Sequence, residues 1–273
     1  MIKTKILILL VLINFFSFNL YKLYQIESFK NDNFEIKFLD AGQGDSILIK
    51  TPLNHLVLID TGKENIALKN LNKAIPYIKY IDLVIITHAD SDHFENLSNI
   101  LSRYSVGKIF INHTTKSNDY IKLLKNKLNK QNIYGLDSSN DFYFDKVFFD
   151  VVWPNSPYAE LVENLDSNDA SISILINYKN FKIFTAGDLG NNYENLLVDK
   201  LGKINVLKAS HHGSLTSTSE TFVENINPDF VIISAGANNQ YNHPHPDVIK
   251  NISKVTKNIF DTSKHGTIKF IVK

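Results

Sequence analysis

The run Thr87-His88-Ala89-Asp90-Ser91-Asp92-His93 gathers two imidazoles and two carboxylates into one short stretch. Those are the donors of a divalent-metal site. Imidazole with carboxylate suits Zn²⁺, and a larger share of oxygen shifts the preference towards Mn²⁺ or Fe²⁺. A plain polar loop with helix-capping aspartates accounts for one Asp but not for two His as well. The apolar run 81–86 (IDLVII) stops immediately before Thr87. A buried strand is therefore predicted to fix the first donor, with a loop that aims His88 and Asp90 one way and Asp92 and His93 another.

Further donors stand in the same kind of place. Asp60 follows LVLI, Asp188 follows KIFTAG, His211 and His212 follow INVLKAS, and His243 lies beyond VIISAG. Singly, each has an ordinary reading as a turn residue before Gly or as a loop histidine. Together, donors past so many strand ends predict loops that converge on one rim and share a metal site.

The elements behind such a rim are legible. Residues 34–39 and 46–50 alternate apolar and polar around the turn Gly42-Gln43-Gly44-Asp45, which predicts a hairpin, and 171–178 with 181–186 predicts a second. Other strands are expected at 56–59, 106–111, 142–144, 146–153, 204–207 and 230–234. Helices are expected at 67–75, 118–132, 193–201, 222–225 and 247–253, with a loop over 154–169. Early hairpins followed by alternating strands and helices imply two sheets covered by helices.

At 273 residues, with 44% hydrophobic residues and no linker-like stretch, the chain reads as one large domain over 32–273. A net charge of +1 gives no global attraction to nucleic acid or anionic lipid, so partners must be argued locally. Lys116, Lys122, Lys125, Lys127 and Lys130 form one local cluster, suited to a phosphate backbone or to a solvated helix face. Residues 1–25 differ in kind: Lys3 and Lys5 precede the apolar run 6–20, the pattern of a signal peptide or a membrane anchor. The segment YKLYQIES after it lacks small residues for cleavage, which favours an uncleaved anchor. Without Cys the chain is neither a lipoprotein nor disulfide-stapled.

Several ordered motifs resemble one family. TxHxDxDH at 87–93, the strand ends LIDTG and TAGD, LKxxHHGS and NxxYxHP resemble the metallo-β-lactamase superfamily. Within it, LDAGQGDSILI, Trp153-Pro154 and Asn168-Asp169-Ala170-Ser171 are similar to the hydrolase domain of ComEC-type DNA-uptake proteins and their stand-alone relatives. The likeness runs from about Phe34 to the C-terminus. It implies an α/β, four-layer αββα sandwich with two divalent ions, Zn or Mn, at one edge of the sheets. His88 and Asp90 would hold the first ion with one of His211 and His212, while Asp92, His93 and His243 would hold the second. Asp188 would bridge them. Asp60, Asp45 and Gln43 are expected behind the ligands, with Asn168, Ser171, Ser214 and Tyr241 on the substrate side. Water activated by the ions would attack, with Asp92 beside it and His212 or His243 assisting the leaving group.

Departures from the family pattern sharpen the reading. Asp90 replaces the usual second His, a change shared with the DNA-uptake group that makes the site richer in oxygen. Glu95-Asn96 replace a Gly-Gly pair, Gln240 stands where Arg is common, and the third-motif His is missing. The expected function is an exported or membrane-anchored metal-dependent hydrolase, a phosphodiesterase or nuclease. Its alternatives are hydrolysis of a small or cell-envelope phosphoester and non-catalytic DNA binding. The domain is placed outside the cell membrane or secreted, with a separate channel protein as partner in any uptake role.

Overall fold

The computed structural model describes residues 2–112, 133–154 and 165–273. The lysine cluster 116–130, the helix expected at 118–132 and most of the loop expected over 154–169 lie outside the described residues.

Among the described residues, fourteen strands form two mixed sheets of seven. In chain order they are β1 (Phe34–Phe38), β2 (Ile47–Lys50), β3 (Leu56–Ile59), β4 (Tyr80–Ile86), β5 (Ser105–Ile111), β6 (Ile133–Gly135), β7 (Phe142–Phe144), β8 (Val147–Trp153), β9 (Ser173–Tyr178), β10 (Phe181–Thr185), β11 (Val206–Lys208), β12 (Phe230–Ile233), β13 (Ile259–Asp261) and β14 (Ile268–Val272). The first sheet is ordered β14-β1-β2-β3-β4-β5-β6 and the second β13-β12-β11-β10-β9-β8-β7. Both expected hairpins form, β1 with β2 and β9 with β10. Each sheet has an antiparallel part and a parallel part, β3 to β6 in one and β10 to β13 in the other.

The strand pattern follows from burial on both faces. Inward residues such as Phe34, Ile36, Phe38, Ile59 and Ile85 meet Phe149, Val151, Ile174 and Ile176 between the sheets. Outward residues of the first sheet, Leu58, Val84 and Ile86, lie under Leu68 and Leu71 of helix Asn65–Ala74 and under Leu97 and Ile100 of helix Leu97–Arg103. On the second sheet, Phe184, Leu207 and Val231 are covered by Phe222, Val223 and Ile226 of helix Glu220–Ile226 and by Val248 and Ile252 of helix Pro246–Val255. Three apolar layers therefore separate four structural ones, the αββα sandwich. In each parallel part the strands point the same way, so their C-terminal ends and following loops gather at one rim.

The long N-terminal helix Ile2–Phe29 stands apart. Its apolar side chains, from Ile6 through Tyr24, are largely exposed, and its run Thr4–Phe29 is long and apolar enough to cross a membrane. Elsewhere, the helix expected over 193–201 is broken by a 3₁₀ turn at Asn195–Leu197, where Glu194 turns inward to accept the Thr218 N–H. The strands β6, β13 and β14 and the short helices Ser91–Phe94 and Leu97–Arg103 were not expected from local pattern. Of these, β14 pairs with β1 from the far end of the chain, and Ser91–Phe94 lies inside the donor motif.

Candidate metal centre

Register positions the first donors. Ile59 of β3 pairs with Ile85 of β4, which brings Asp60 beside Thr87. Asp60 adopts a left-handed conformation (φ 56°) and accepts the Thr87 N–H and the Thr87 hydroxyl, both at 2.8 Å. His93 Nδ1–H donates to the same carboxylate at 2.8 Å. Because the Thr87 hydroxyl already donates to Asp60, it accepts from His88 Nδ1–H at 3.0 Å. On the second sheet, His212 Nδ1–H donates to the Ser234 carbonyl at 2.8 Å. All three rings thus spend their Nδ1 proton outside the site and turn an Nε2 lone pair into it, the tautomer that binds metal. His211 and His212 reach the rim on consecutive left-handed residues (φ 48° and 56°), a costly backbone for non-glycine residues that recurs at functional sites.

Two groups of donors result, sharing Asp188. In one, His93 Nε2 and His212 Nε2 lie 3.3 Å apart, and His212 Nε2 is 3.3 Å from Asp92 Oδ2. Asp188 completes this group with Oδ1 3.3 Å from His93 and Oδ2 3.3 Å from His212. In the other, His88 Nε2 is 3.9 Å from Asp90 Oδ2 and from Asp188 Oδ2, and His211 Nε2 is 3.9 Å from that same Oδ2. Donors held about 2.0–2.2 Å from one tetrahedral ion stand roughly 3.3–3.6 Å from each other, so the first spacing fits an ion closely. Donor atoms of Asp45, His93, Asp188 and His212 all fall within 4.8 Å of one another. The Asp45 carboxylate, however, already faces a cation, the buried ammonium of Lys208.

Electrostatics point the same way. Burial opposes charge on His93 and His212, but Asp188 and Asp60 around the first, and Asp188 and Asp45 around the second, raise both imidazoles well above their ordinary range. Burial likewise opposes charge on Asp188 and Asp92, and the histidines outweigh it and hold both carboxyls low. Two imidazoles drawn towards protonation therefore aim Nε2 at Nε2. A cation between them removes that conflict and satisfies both carboxylates. His88 is different: burial, then His93, pushes it down to about 3, and its inward Nε2 has no hydrogen-bond partner.

The remaining expected residues occupy distinct places. His243 lies at the rim, its ring 5.6 Å from His211 and 6.4 Å from His212, with a buried, unpartnered Nδ1. Burial, then His212 and His211, lowers its pKa to about 4. Tyr241 stacks on it at 5.7 Å and lines a cleft of about 430 Å³ with Gln43, Lys63, Asp92 and Asn239. Gln43 Oε1 accepts the Gly236 N–H at 3.1 Å and ties this loop to the end of β12. Asn168 lines a second cleft, about 510 Å³, with Asp166, Asp169, Asp188 and His211. Ser171 and Ser214 turn inward: the Ser171 hydroxyl accepts the Asp188 N–H at 3.1 Å, and Ser214 bonds Thr216. Of the expected ligands, the structure brings His88, Asp90, Asp92, His93, Asp188, His211 and His212 together and leaves His243 beside them.

Three supporting residues were given no role from the sequence. Thr87 couples Asp60 to His88, Asn239 holds the loop of His243 through Nδ2–H to its carbonyl at 2.6 Å, and Lys208 sits behind Asp188. Thr87 and Lys208 carried a signal, the first as the opening residue of TxHxDxDH and the second as the Lys of LKxxHHGS, a buried charge after an apolar run.

The αββα sandwich is the metallo-β-lactamase fold, and residues 39–156 match the family model described as the metallo-beta-lactamase superfamily. The chain is similar to curated proteins that include the following two. ComE operon protein 3 of Bacillus subtilis is 28% identical over 258 residues, covering 86% of this chain and 33% of that protein. Competence protein ComA of Neisseria gonorrhoeae is 27% identical over 254 residues, covering 90% of this chain and 33% of that protein. The chain thus spans about a third of the length of these relatives. Among solved structures, the metallo-beta-lactamase fold protein YhfI of Bacillus subtilis superposes with a TM-score of 0.60 at 10% identity, over 88% of this chain and 100% of that one.

Proposed function

We propose that this chain is a metal-dependent phosphodiesterase acting on nucleic acid, with its hydrolase domain held at the outer face of a membrane by helix Ile2–Phe29. One observation carries the metal centre: His93 and His212 meet Nε2 to Nε2 at 3.3 Å while each commits its Nδ1 proton elsewhere. His88, Asp90 and His211 would hold one divalent ion, Asp92, His93 and His212 the other, with Asp188 shared. Bound divalent ions at such a site supply Lewis acidity and lower the pKa of water towards ~7. Asp60 and Thr87 keep the imidazoles in the metal-binding tautomer, and Ser171 orients Asp188. His243, neutral at pH 7, would offer a ring N–H to the leaving oxygen, and Tyr241 would give a base a stacking surface beside Asp92. Likeness to competence proteins supports nucleic acid as substrate.

A second reading, hydrolysis of a small phosphoester, is favoured by the cleft beside His211. Its carboxylates Asp166 and Asp169 do not attract a phosphate backbone. One experiment separates the readings. Protein stripped by chelator and reloaded with Mn²⁺ or Zn²⁺ is given single- and double-stranded DNA, a chromogenic phosphodiester and a cephalosporin. Metal-dependent cleavage of DNA and diester is expected, with the cephalosporin intact. Diester cleavage with DNA untouched selects the small-substrate reading, and ion uptake without phosphodiester cleavage overturns both.

A further inference from the structure

Lys208 ends β11 with its side chain fully buried, directly after the buried apolar residues Val206 and Leu207. Its ammonium pairs with Asp45, donates to the Gly187 carbonyl at 3.3 Å and lies 3.9 Å from Asp188 Oδ1. Asp45 in turn lies 3.5 Å from His212 Nδ1 and 3.9 Å from His93 Nδ1. A buried ion pair costs several kcal/mol of desolvation and is often replaceable by apolar side chains, so packing alone is a poor reason for this one.

Its position suggests another reason. Asp45 precedes β2 in the first sheet, and Lys208 belongs to the second. The pair therefore crosses between the same two halves that present His93 and His212 to each other. Charge balance adds to this. Asp45, Asp60, Asp90, Asp92 and Asp188 gather five carboxylates around the site, one more negative charge than two divalent ions neutralise. Lys208 is the ammonium buried in the cluster among the described residues, and it cancels the excess.

We propose that Lys208 and Asp45 form a built-in counter-charge pair that joins the two halves of the metal pocket and sets how tightly it holds divalent ions. With the ammonium in place, the pocket keeps its carboxylates together before an ion arrives and binds the ion less tightly than five bare carboxylates would. Both act as positioning residues, since neither faces the open clefts. This inference rests on reading the pocket as a metal site.

The test is a charge cycle read as Mn²⁺ and Zn²⁺ dissociation constants by chelator competition at pH 8, on the full chain, with melting temperature measured beside it. K208Q keeps a donor for Gly187 but removes the positive charge, and should tighten binding by about tenfold or more. D45N removes a negative charge and should weaken it by about tenfold or more. The double variant D45N/K208Q has the wild-type net charge and should return to within about threefold of wild type. A role in packing alone moves both single variants in the same direction and makes the double variant worse, which overturns the proposal. If one single variant does not fold, the other and the double variant still fix the sign. Wild-type protein that binds neither ion ends the metal reading and this inference with it. Tight wild-type binding with no opposed shifts ends only the inference.

Discussion

His93 and His212 come from different sheets, yet their Nε2 atoms meet at 3.3 Å over the shared carboxylate of Asp188. Asp60 fixes the first ring and the Ser234 carbonyl the second, so neither can rotate away without losing a buried hydrogen bond. The two adjacent histidines His211 and His212 therefore serve different groups. H212A should lower metal content from about two ions per chain to about one and abolish hydrolysis, and H211A should remove the other ion. Metal analysis by plasma mass spectrometry after gel filtration reads this directly, and an H212A protein that keeps full loading contradicts the division.

Asp60 accepts three hydrogen bonds without itself facing an open cleft. Replacement by Asn keeps the shape but gives up the charge that orients His93 and Thr87. D60N should bind Mn²⁺ or Zn²⁺ about 10- to 100-fold more weakly, in the range known for residues that orient metal ligands. Equal affinity in chelator competition would show that Asp60 serves the fold alone.

How much of this was legible is best judged residue by residue. The donors of 88–93 were visible because two imidazoles and two carboxylates crowd behind a β-branched strand, a pattern that neither core nor plain loop produces. The division of labour between His211 and His212 was not, because it depends on two consecutive left-handed residues that no side-chain pattern announces. Lys208 stood in the motif LKxxHHGS, but its role was not legible, because its partner Asp45 lies in the turn before β2 of the other sheet. Pairing of Phe34 with Val272, which closes the first sheet, links opposite ends of the domain and leaves no local trace beyond alternation.

Gly44 gives a prediction about the loop that carries Asp45. At φ 117° its backbone favours glycine, and a Cβ there would lie 2.0 Å from the Asp92 carbonyl oxygen. G44A should cost about 3 kcal/mol or more and displace Asp92. Denaturant titration reports the first effect and loss of one bound ion the second; an unchanged midpoint would show that the loop yields freely.

Helix Ile2–Phe29 exposes its apolar residues along its length. Burying them in hydrocarbon is favourable by roughly 25 cal/mol per Å² of apolar surface, which no contact within the described protein matches. Full-length chain should stay in the membrane pellet through an alkaline wash, and a variant beginning at Lys30 should move to the supernatant. Recovery of both in the supernatant, with full-length mass intact, excludes an anchor.

Glu194 supplies one separable part of the pH dependence of stability. Burial, only partly offset by Ser210, the Thr218 N–H and Lys208, pushes its carboxyl from 4.5 up to about 7. Between those values the Glu194 carboxyl holds its proton in the folded chain more than in the unfolded one, so its own contribution to stability falls as pH rises. The contribution is complete below about pH 4.5 and gone once pH passes about 7, with up to about 3 kcal/mol lost across that window. E194Q removes the titration and can still accept the Thr218 N–H, so its stability relative to wild type should rise over the same range, and it should exceed wild type above pH 7. Urea titrations of both proteins at half-unit steps measure the difference in slope, and parallel curves would show that Glu194 is already ionised in the fold.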